Sequence, residues 1–507
     1  MSLPDEECCS TLAVPFCVKS AAIPTPPNAR SVQHEDTAIT KSSDTRTPSS
    51  YMAVLAAAFG MISDGYQNNI MTMVNVVFKR LYPAVYTSAV STRVSNALLV
   101  GEILGQLLVG VLCDRVGRKA GFVITTSLIV LGATLATVAY GAHGSVAGLF
   151  WALSIARGIT GVGTGGEYPA SSTSASEAIN ERTIKQRGPI FLVVTNGILS
   201  LGGPLAVSVF LIVLSAAGQD HLSTVWRICF GMGILLPLSV FYFRMRMLSP
   251  RLYREHAIRH HVPYWLAVKR YWRALIGTCG TWFLYDFVFF PNTVFSGTII
   301  ASIIKDGDIK ATAEWQLLLV TIALPGVYAG IFLCNPLGRR RTMMLGFLGY
   351  IVFGLICGCA YDKLTHIMPL FIVCYGMMHA MGSMGPGNLM GLVSAESYAT
   401  PVRGTFYGIS AAIGKAGAAV GTQAFTPIQE NLGKRWTFII AAVCGTLGIV
   451  TTYFFLPDMT GVDLAREDDE FLQYLIRNGW QGEVGEVIEV ITEDTSSTIE
   501  KHTNTKE

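Results

Sequence analysis

Twelve stretches of about 20 mostly apolar residues, the length that crosses a bilayer as a helix, dominate this chain of 507 residues. They run over 52–78, 94–113, 120–140, 147–168, 189–216, 225–243, 274–303, 315–334, 342–361, 367–393, 404–427 and 436–456. Strands of a membrane barrel alternate apolar and polar residues; these stretches do not, so they are helices. Twelve spans need about 240–300 residues, and positions 51–457 supply them with only short loops to spare. Charged residues make up 14% of the chain, against about 25% in a soluble domain. A soluble core of this composition lacks the polar surface to cover itself. The fold class is therefore all-α, polytopic and membrane-embedded.

Orientation follows from Lys and Arg near span ends. An even number of spans puts both tails on one side. Loops on that side carry Arg115, Arg118 and Lys119; Arg182, Lys185 and Arg187; Arg244, Arg246, Arg251, Arg254 and Arg259; and Arg339, Arg340 and Arg341. The other side has Lys79, Arg80, Lys305, Lys310, Lys363, Lys434 and Arg435. Both tails are expected in the cytosol, with Lys79–Arg80 the one blemish. Residues 1–50 are rich in Ser, Thr and Pro and lack the apolar core of a signal peptide. Residues 458–507 carry 13 acids against four basic residues, and are expected to be disordered or partly helical. The positive remainder is loop bias, not a nucleic-acid surface. The 11 cysteines suggest no disulfide framework: most lie in or beside spans, and Cys8, Cys9 and Cys17 would face a reducing compartment.

The chain also repeats itself. Asp64 in span 1 recurs as Asp286 in span 7. The loop Asp114-Arg115-Val116-Gly117-Arg118-Lys119 recurs as Asn335-Pro336-Leu337-Gly338-Arg339-Arg340, and Glu177 recurs as Glu396. Three landmarks at nearly one offset predict two six-helix halves, 51–247 and 274–457, joined by a basic linker at 248–273. Parallel repeats of this kind build transporters that rock two bundles around a midplane site.

Gly110-Val111-Leu112-Cys113-Asp114-Arg115-Val116-Gly117-Arg118-Lys119 resembles the loop 2–3 signature of the major facilitator superfamily. Ser249-Pro250-Arg251 and Pro457-Asp458-Met459-Thr460-Gly461 resemble its further landmarks. The span 4 run from Arg157 to Pro169 and the span 11 run from Gly408 to Ala418 resemble its proton-coupled phosphate symporters. Ser63-Asp64-Gly65-Tyr66-Gln67-Asn68 brings the chain closest to the fungal glycerophosphodiester permeases. The resemblance covers about 51–461. It implies substrate contacts at Tyr168, Trp282, Asp286 and Lys415. Departures from the phosphate symporters are Gln67 for a second span 1 aspartate, Phe290 for a tyrosine, Asn196 for a glutamine, and Gly387 for an asparagine, with Asn388 one residue late. These changes suit a larger, singly charged phosphodiester.

An ionisable residue at bilayer depth costs at least a few kcal/mol unless paired or hydrated. The deep candidates are Asp64, Glu102, Arg157, Glu167, Asp286 and Lys415. A phosphate-bearing substrate needs donors and positive charge. Lys415 is the first cation for it and Arg157 the second, although Arg157 equally suits a structural partner of Asp64 or Glu167. Tyr168, Asn196, Asn388 and Trp282 supply neutral donors, and Phe290 lines the same face. Tyr168 and Trp282 alternatively only pack. Asp64, Glu167 and Asp286 are the proton-coupling candidates, with Asp286 the site switch: a carboxylate beside the substrate anion repels it when ionised. Glu102 is expected to pair at the cytosolic gate, and Asp114, Arg115 and Arg118 to form a latch there. Tyr285, Phe289, Phe290 and Trp282 offer either a cation–π cage for a choline-like group or packing bulk.

No zinc spacing, phosphate-binding loop or nucleophile–histidine set occurs, so neither an enzyme nor a cofactor is expected. Gly161-x-Gly163-x-x-Gly166 lies inside a span with no preceding strand, so it is not a dinucleotide motif. The leading expectation is a monomeric plasma-membrane importer that couples glycerophosphodiester uptake, of glycerophosphocholine or glycerophosphoinositol, to protons. The alternatives are an inorganic phosphate:proton symporter and a non-transporting nutrient sensor.

Overall fold

A computed structural model describes residues 48–180, 186–245, 263–304 and 308–480. Expectations for the N-terminal tail, for Arg182, Lys185, Arg246, Arg251, Arg254, Arg259 and Lys305, for Ser249-Pro250-Arg251 and for the end of the acidic tail lie outside the described residues.

Twelve long helical segments follow one another up and down. The first six are α1 (Pro48–Leu81), α2 (Ser88–Arg115), α3 (Arg118–Thr137), α4 (Val146–Asn180), α5 (Arg187–Ala217) and α6 (Leu222–Met245). The second six are α7 (Tyr264–Val294), α8 (Ile309–Leu333), α9 (Arg339–Cys359), α10 (368–396), α11 (Thr400–Asn431) and α12 (Arg435–Phe455). Span 7, expected over 274–303, is α7 followed by a short helix, Ser296–Ala301. Residues 264–273 of the expected linker are thus helical.

Among the described residues, nine of these segments are long and apolar enough to cross a membrane. The other three, α1, α10 and α11, are diluted by polar and small residues. Those are the helices that carry Asp64 and Asn68, His379 and Asn388, and Lys415. Two segments change register part-way: α5 has a π-helical turn at Val193–Gly197 and α10 one at Ser383–Gly387, the latter holding Pro386. π-turns of this kind occur mostly at functional sites.

Glycine sets the closest approaches. A Cβ on Gly101 of α2 would overlap the Gly158 carbonyl oxygen of α4, and one on Gly161 would overlap Leu98. Without a hydrophobic drive between helices in lipid, such contacts let dispersion and backbone dipoles hold the pair. The internal repeat is visible in the backbone: Gly117 before α3 and Gly338 before α9 both have positive φ, 123° and 82°.

The side where α1 begins and α12 ends is called here the tail face. There a thirteenth helix, α13 (Leu464–Arg477), lies against α7 and α11. Its buried residues Leu464, Asp468, Phe471 and Leu475 make one stripe. Phe471 and Leu475 pack with Tyr271, Tyr398 and Phe406. Part of the acidic tail is therefore a docked amphipathic helix, with Asp469 and Glu470 exposed and Glu467 accepting from Arg270 and Tyr271 of α7 at 3.0 and 2.7 Å.

Candidate functional site

The tail face holds two ion networks of matching design. In the first, Arg118 at the start of α3 donates to Asp114 at 2.9 Å and to Glu177 of α4 at 2.6 Å. Arg403 of α11 reaches across from the second six helices to the same Glu177, at 3.1 Å. Asp114 also accepts the backbone N–H groups of Gly404 and Thr405, at 3.0 and 2.6 Å. In the second, Arg339 at the start of α9 pairs with Glu396 of α10 at 3.2 Å, and Arg187 of α5 reaches across to Glu396 at 2.9 Å. Each half supplies an Arg–Glu pair and lends one arginine to the other. All these side chains are buried. Of the expected latch residues, Asp114 and Arg118 belong to this network. Arg115 does not: it is exposed, with its guanidinium 5.9 Å from the Tyr264 ring. Glu177, Glu396 and Arg187 were legible as repeat landmarks or loop charges, but not as partners, and nothing in the sequence singled out Arg403.

Deeper, a cavity of about 180 Å³ lies between the halves. Its lining includes Tyr168, Asn196, Trp282, Asp286, Phe290, Asn388 and Lys415, seven of the eight residues expected to meet substrate. Lys415 is the central charge. Its Nζ pairs with Glu102 Oε2 at 2.9 Å, across the two halves, and sits 3.9 Å from the Phe290 ring centroid and 5.3 Å from that of Tyr168. Asp286 and Asp64 are the next carboxylates around it. Asn68 joins the acids: its amide donates to Asp64 Oδ1 at 2.8 Å and to Glu102 Oε1 at 2.9 Å. Lys415, Glu102, Asp64 and Asp286 are all at least 97% buried.

Glu102 is thus not a gate residue, which corrects the expectation. It lies 12 residues before Asp114 on α2, roughly 18 Å along the axis, at the depth of Lys415. Arg157 is elsewhere as well. It donates to the Val94 carbonyl at 3.3 Å and approaches the Phe230 ring, within the first six helices. Glu167 turns away from the cavity towards α3, accepting from Thr125 at 2.6 Å and Ser171 at 3.3 Å. Arg157 and Tyr168 lie 11 residues, about three turns, apart on α4, so they meet different neighbours. Asn196 and Asn388 line the cavity with amides already engaged: Asn196 donates to the Asn388 carbonyl and Asn388 to that of Val327, at 2.8 and 2.7 Å. Gln67 points to α6, towards the Gly233 carbonyl. Sequence reasoning missed Asn68, Gln316 and His379, which also line the cavity.

Three carboxylates thus surround one ammonium in a site shielded from solvent. Such a cluster binds an anion only at the ammonium, and only if the acids are neutralised. Contacts between the halves also occur on the far side of the cavity, where Thr92 meets Thr426 at 2.9 Å and Asn96 donates to the Ala419 carbonyl at 3.1 Å.

The chain matches the family model described as sugar (and other) transporter over residues 49–261 and 256–471. It is 52% identical over 465 residues to glycerophosphoinositol permease 1 of Candida albicans, covering 90% of this chain and 89% of that one. It is 50% identical over 437 residues to glycerophosphoinositol transporter 1 of Saccharomyces cerevisiae, covering 86% and 84%. Its fold matches the solved major facilitator proton:xylose symporter XylE with a TM-score of 0.71 at 16% identity, over 84% of this chain and 99% of that one.

Proposed function

The chain belongs to the sugar (and other) transporter family of the major facilitator superfamily, and from that premise we propose that it carries glycerophosphodiesters into the cell together with protons. The observation that carries this reading is the Lys415–Glu102 pair, buried between the halves at 2.9 Å beside a cavity. The phosphodiester replaces Glu102 as the partner of Lys415. Glu102, released from its cation at low dielectric, takes up a proton. Asn68 couples that proton to Asp64, and Asp286 faces the substrate from the second half. Tyr168 and Trp282 shape the pocket, and Phe290 covers the lysine. The proton thus balances the substrate's negative charge. Without it, import against an inside-negative potential costs about 2.3 kcal/mol per charge per 100 mV.

In this proposal the halves are 51–247 and 274–457, the tail face is cytosolic, the membrane is the plasma membrane and one chain suffices. The two Arg–Glu–Arg networks, with Asp114, form the cytosolic gate. They hold it shut while the far side opens, and separate when loaded substrate and proton relax the central site. Lipid vesicles containing the full-length protein test this directly. Labelled glycerophosphoinositol or glycerophosphocholine should accumulate with an acid-outside gradient, and Lys415→Ala should abolish that accumulation. Equal accumulation without a gradient, or by Lys415→Ala, would overturn the mechanism.

A further inference from the structure

Resting on the uptake reading above, we infer that Gln316 is a specificity-determining residue, through which the cavity favours a polyhydroxylated headgroup over a quaternary ammonium while still carrying both. Two observations carry this. The first is the state of the aromatic faces. A choline-type cation needs open ring faces. Lys415 already occupies the face of Phe290, at 3.9 Å. Tyr285 and Phe289 stack on one another, 5.0 Å apart at 20°. Trp282 meets Tyr407 at right angles, 5.6 Å away. Phe289 further packs edge-on against Phe290 and His379. Tyr285, Phe289 and Phe290 are engaged with one another and with the lysine, and Trp282 with Tyr407.

The second observation is a surplus of acceptors along the cavity wall. Gln316 of α8 is 1% exposed, lines the cavity, and its Oε1 has no hydrogen-bond partner. Asp286 Oδ2 is likewise unpartnered. Three hydroxyls of the same cavity wall have already spent their protons. Thr293 donates to the Phe289 carbonyl at 2.9 Å, Ser296 to that of Thr293 at 2.7 Å, and Ser200 to that of Asn196 at 2.7 Å. Each therefore offers lone pairs to a ligand, not a donor. A trimethylammonium group has no O–H or N–H to give. A cyclitol ring presents a hydroxyl donor on most of its carbons and satisfies such a wall. The phosphate then lies at Lys415 and the polyol extends towards Gln316 and Ser296. Ser296 is ten residues beyond Asp286, roughly 15 Å at helical rise.

Uptake kinetics of the full-length protein in proteoliposomes test this, with labelled glycerophosphoinositol and glycerophosphocholine measured side by side. Gln316→Met keeps the side chain's length and removes its acceptor. It should raise the KM for glycerophosphoinositol about tenfold, the order expected for the loss of one neutral hydrogen bond, while the KM for glycerophosphocholine stays within about twofold. The choline diester thus reports that the variant is folded. Equal change for both diesters, no change for either, or loss of both would overturn the assignment of Gln316. A wild-type protein that carries neither diester overturns the uptake reading and this inference together. One that carries both while Gln316→Met fails to discriminate overturns only the latter.

Discussion

Replacing Arg403 by leucine should open the tail face without unfolding either half. Arg403 is the arm that one half extends to the other, meeting Glu177 at 3.1 Å. Removing it leaves Glu177 with its own-half partner Arg118, at 2.6 Å, and leaves Asp468, 3.8 Å from Arg403, with its two bonds from Thr400 at 2.6 Å, so both buried carboxylates keep a partner. What the closed state loses is one charge-assisted hydrogen bond, worth about 1.5–3 kcal/mol. The separated state, in which the arm is hydrated, loses almost nothing. The ratio of open to closed molecules should therefore rise about 10–150-fold. Ser172 reports on this, because it lines the cavity and its hydroxyl meets that of Tyr407 at 2.9 Å across the halves. In a Ser172→Cys background, a membrane-impermeant maleimide applied from the tail side should label the cysteine faster by that factor when Arg403 is leucine. A rate unchanged within about twofold, or an equal acceleration from the opposite side, would refute the idea that the network is a gate.

Four further outcomes are expected. Gly101→Leu drives a side chain into the Gly158 carbonyl and should lower thermal stability in detergent by about 3 kcal/mol or more. Gly218→Ala, with φ of 79° but nothing within 4 Å of a new Cβ, should cost only about 1–2 kcal/mol. Asp468 accepts the Thr400 backbone N–H and hydroxyl, both at 2.6 Å. Asp468→Asn should speed hydrogen exchange across 464–477 about tenfold or more, the equivalent of roughly 1.5 kcal/mol of charge-assisted bonding. Arg187→Leu, the counterpart of Arg403→Leu, should accelerate tail-side labelling of Ser172→Cys to a similar degree, whereas Arg227→Leu, whose guanidinium donates to the Thr137 carbonyl within the first half, should not.

The spans were legible because bilayer thickness imposes a length and an apolarity that local sequence alone displays. The π-turns in α5 and α10 were not, because a one-residue change of register leaves the hydropathy pattern intact. The repeat placed Asp114, Glu177 and their counterparts at equivalent positions, yet a sequence repeat is silent on contacts between halves. The Arg403 and Arg187 arms therefore appear only in three dimensions. Lys415 and Asp286 stood out because a charge at bilayer depth needs a reason. Glu102 stood out equally, but its partner was misjudged, since depth along α2 says nothing about which helix faces it. Asn68 and Gln316 are uncharged, so Asn68 stood out only as the end of the Ser63–Asn68 motif and Gln316 not at all. Arg157 and Glu167 show the converse: a charge within a span finds its partner wherever a neighbouring helix offers one.

Proton movement driven by substrate is the most direct check on the coupling assigned to Glu102 and Lys415. Vesicles holding the full-length protein and a lumenal pH dye start with equal pH on both sides. Adding glycerophosphoinositol outside should acidify the lumen in the wild type. Glu102→Gln, which keeps the site's shape but not its titratable group, should still exchange labelled for unlabelled substrate and yet leave lumenal pH unchanged. Substrate entry into wild-type vesicles with no acidification, or undiminished acidification by Glu102→Gln, would contradict proton coupling through this pair.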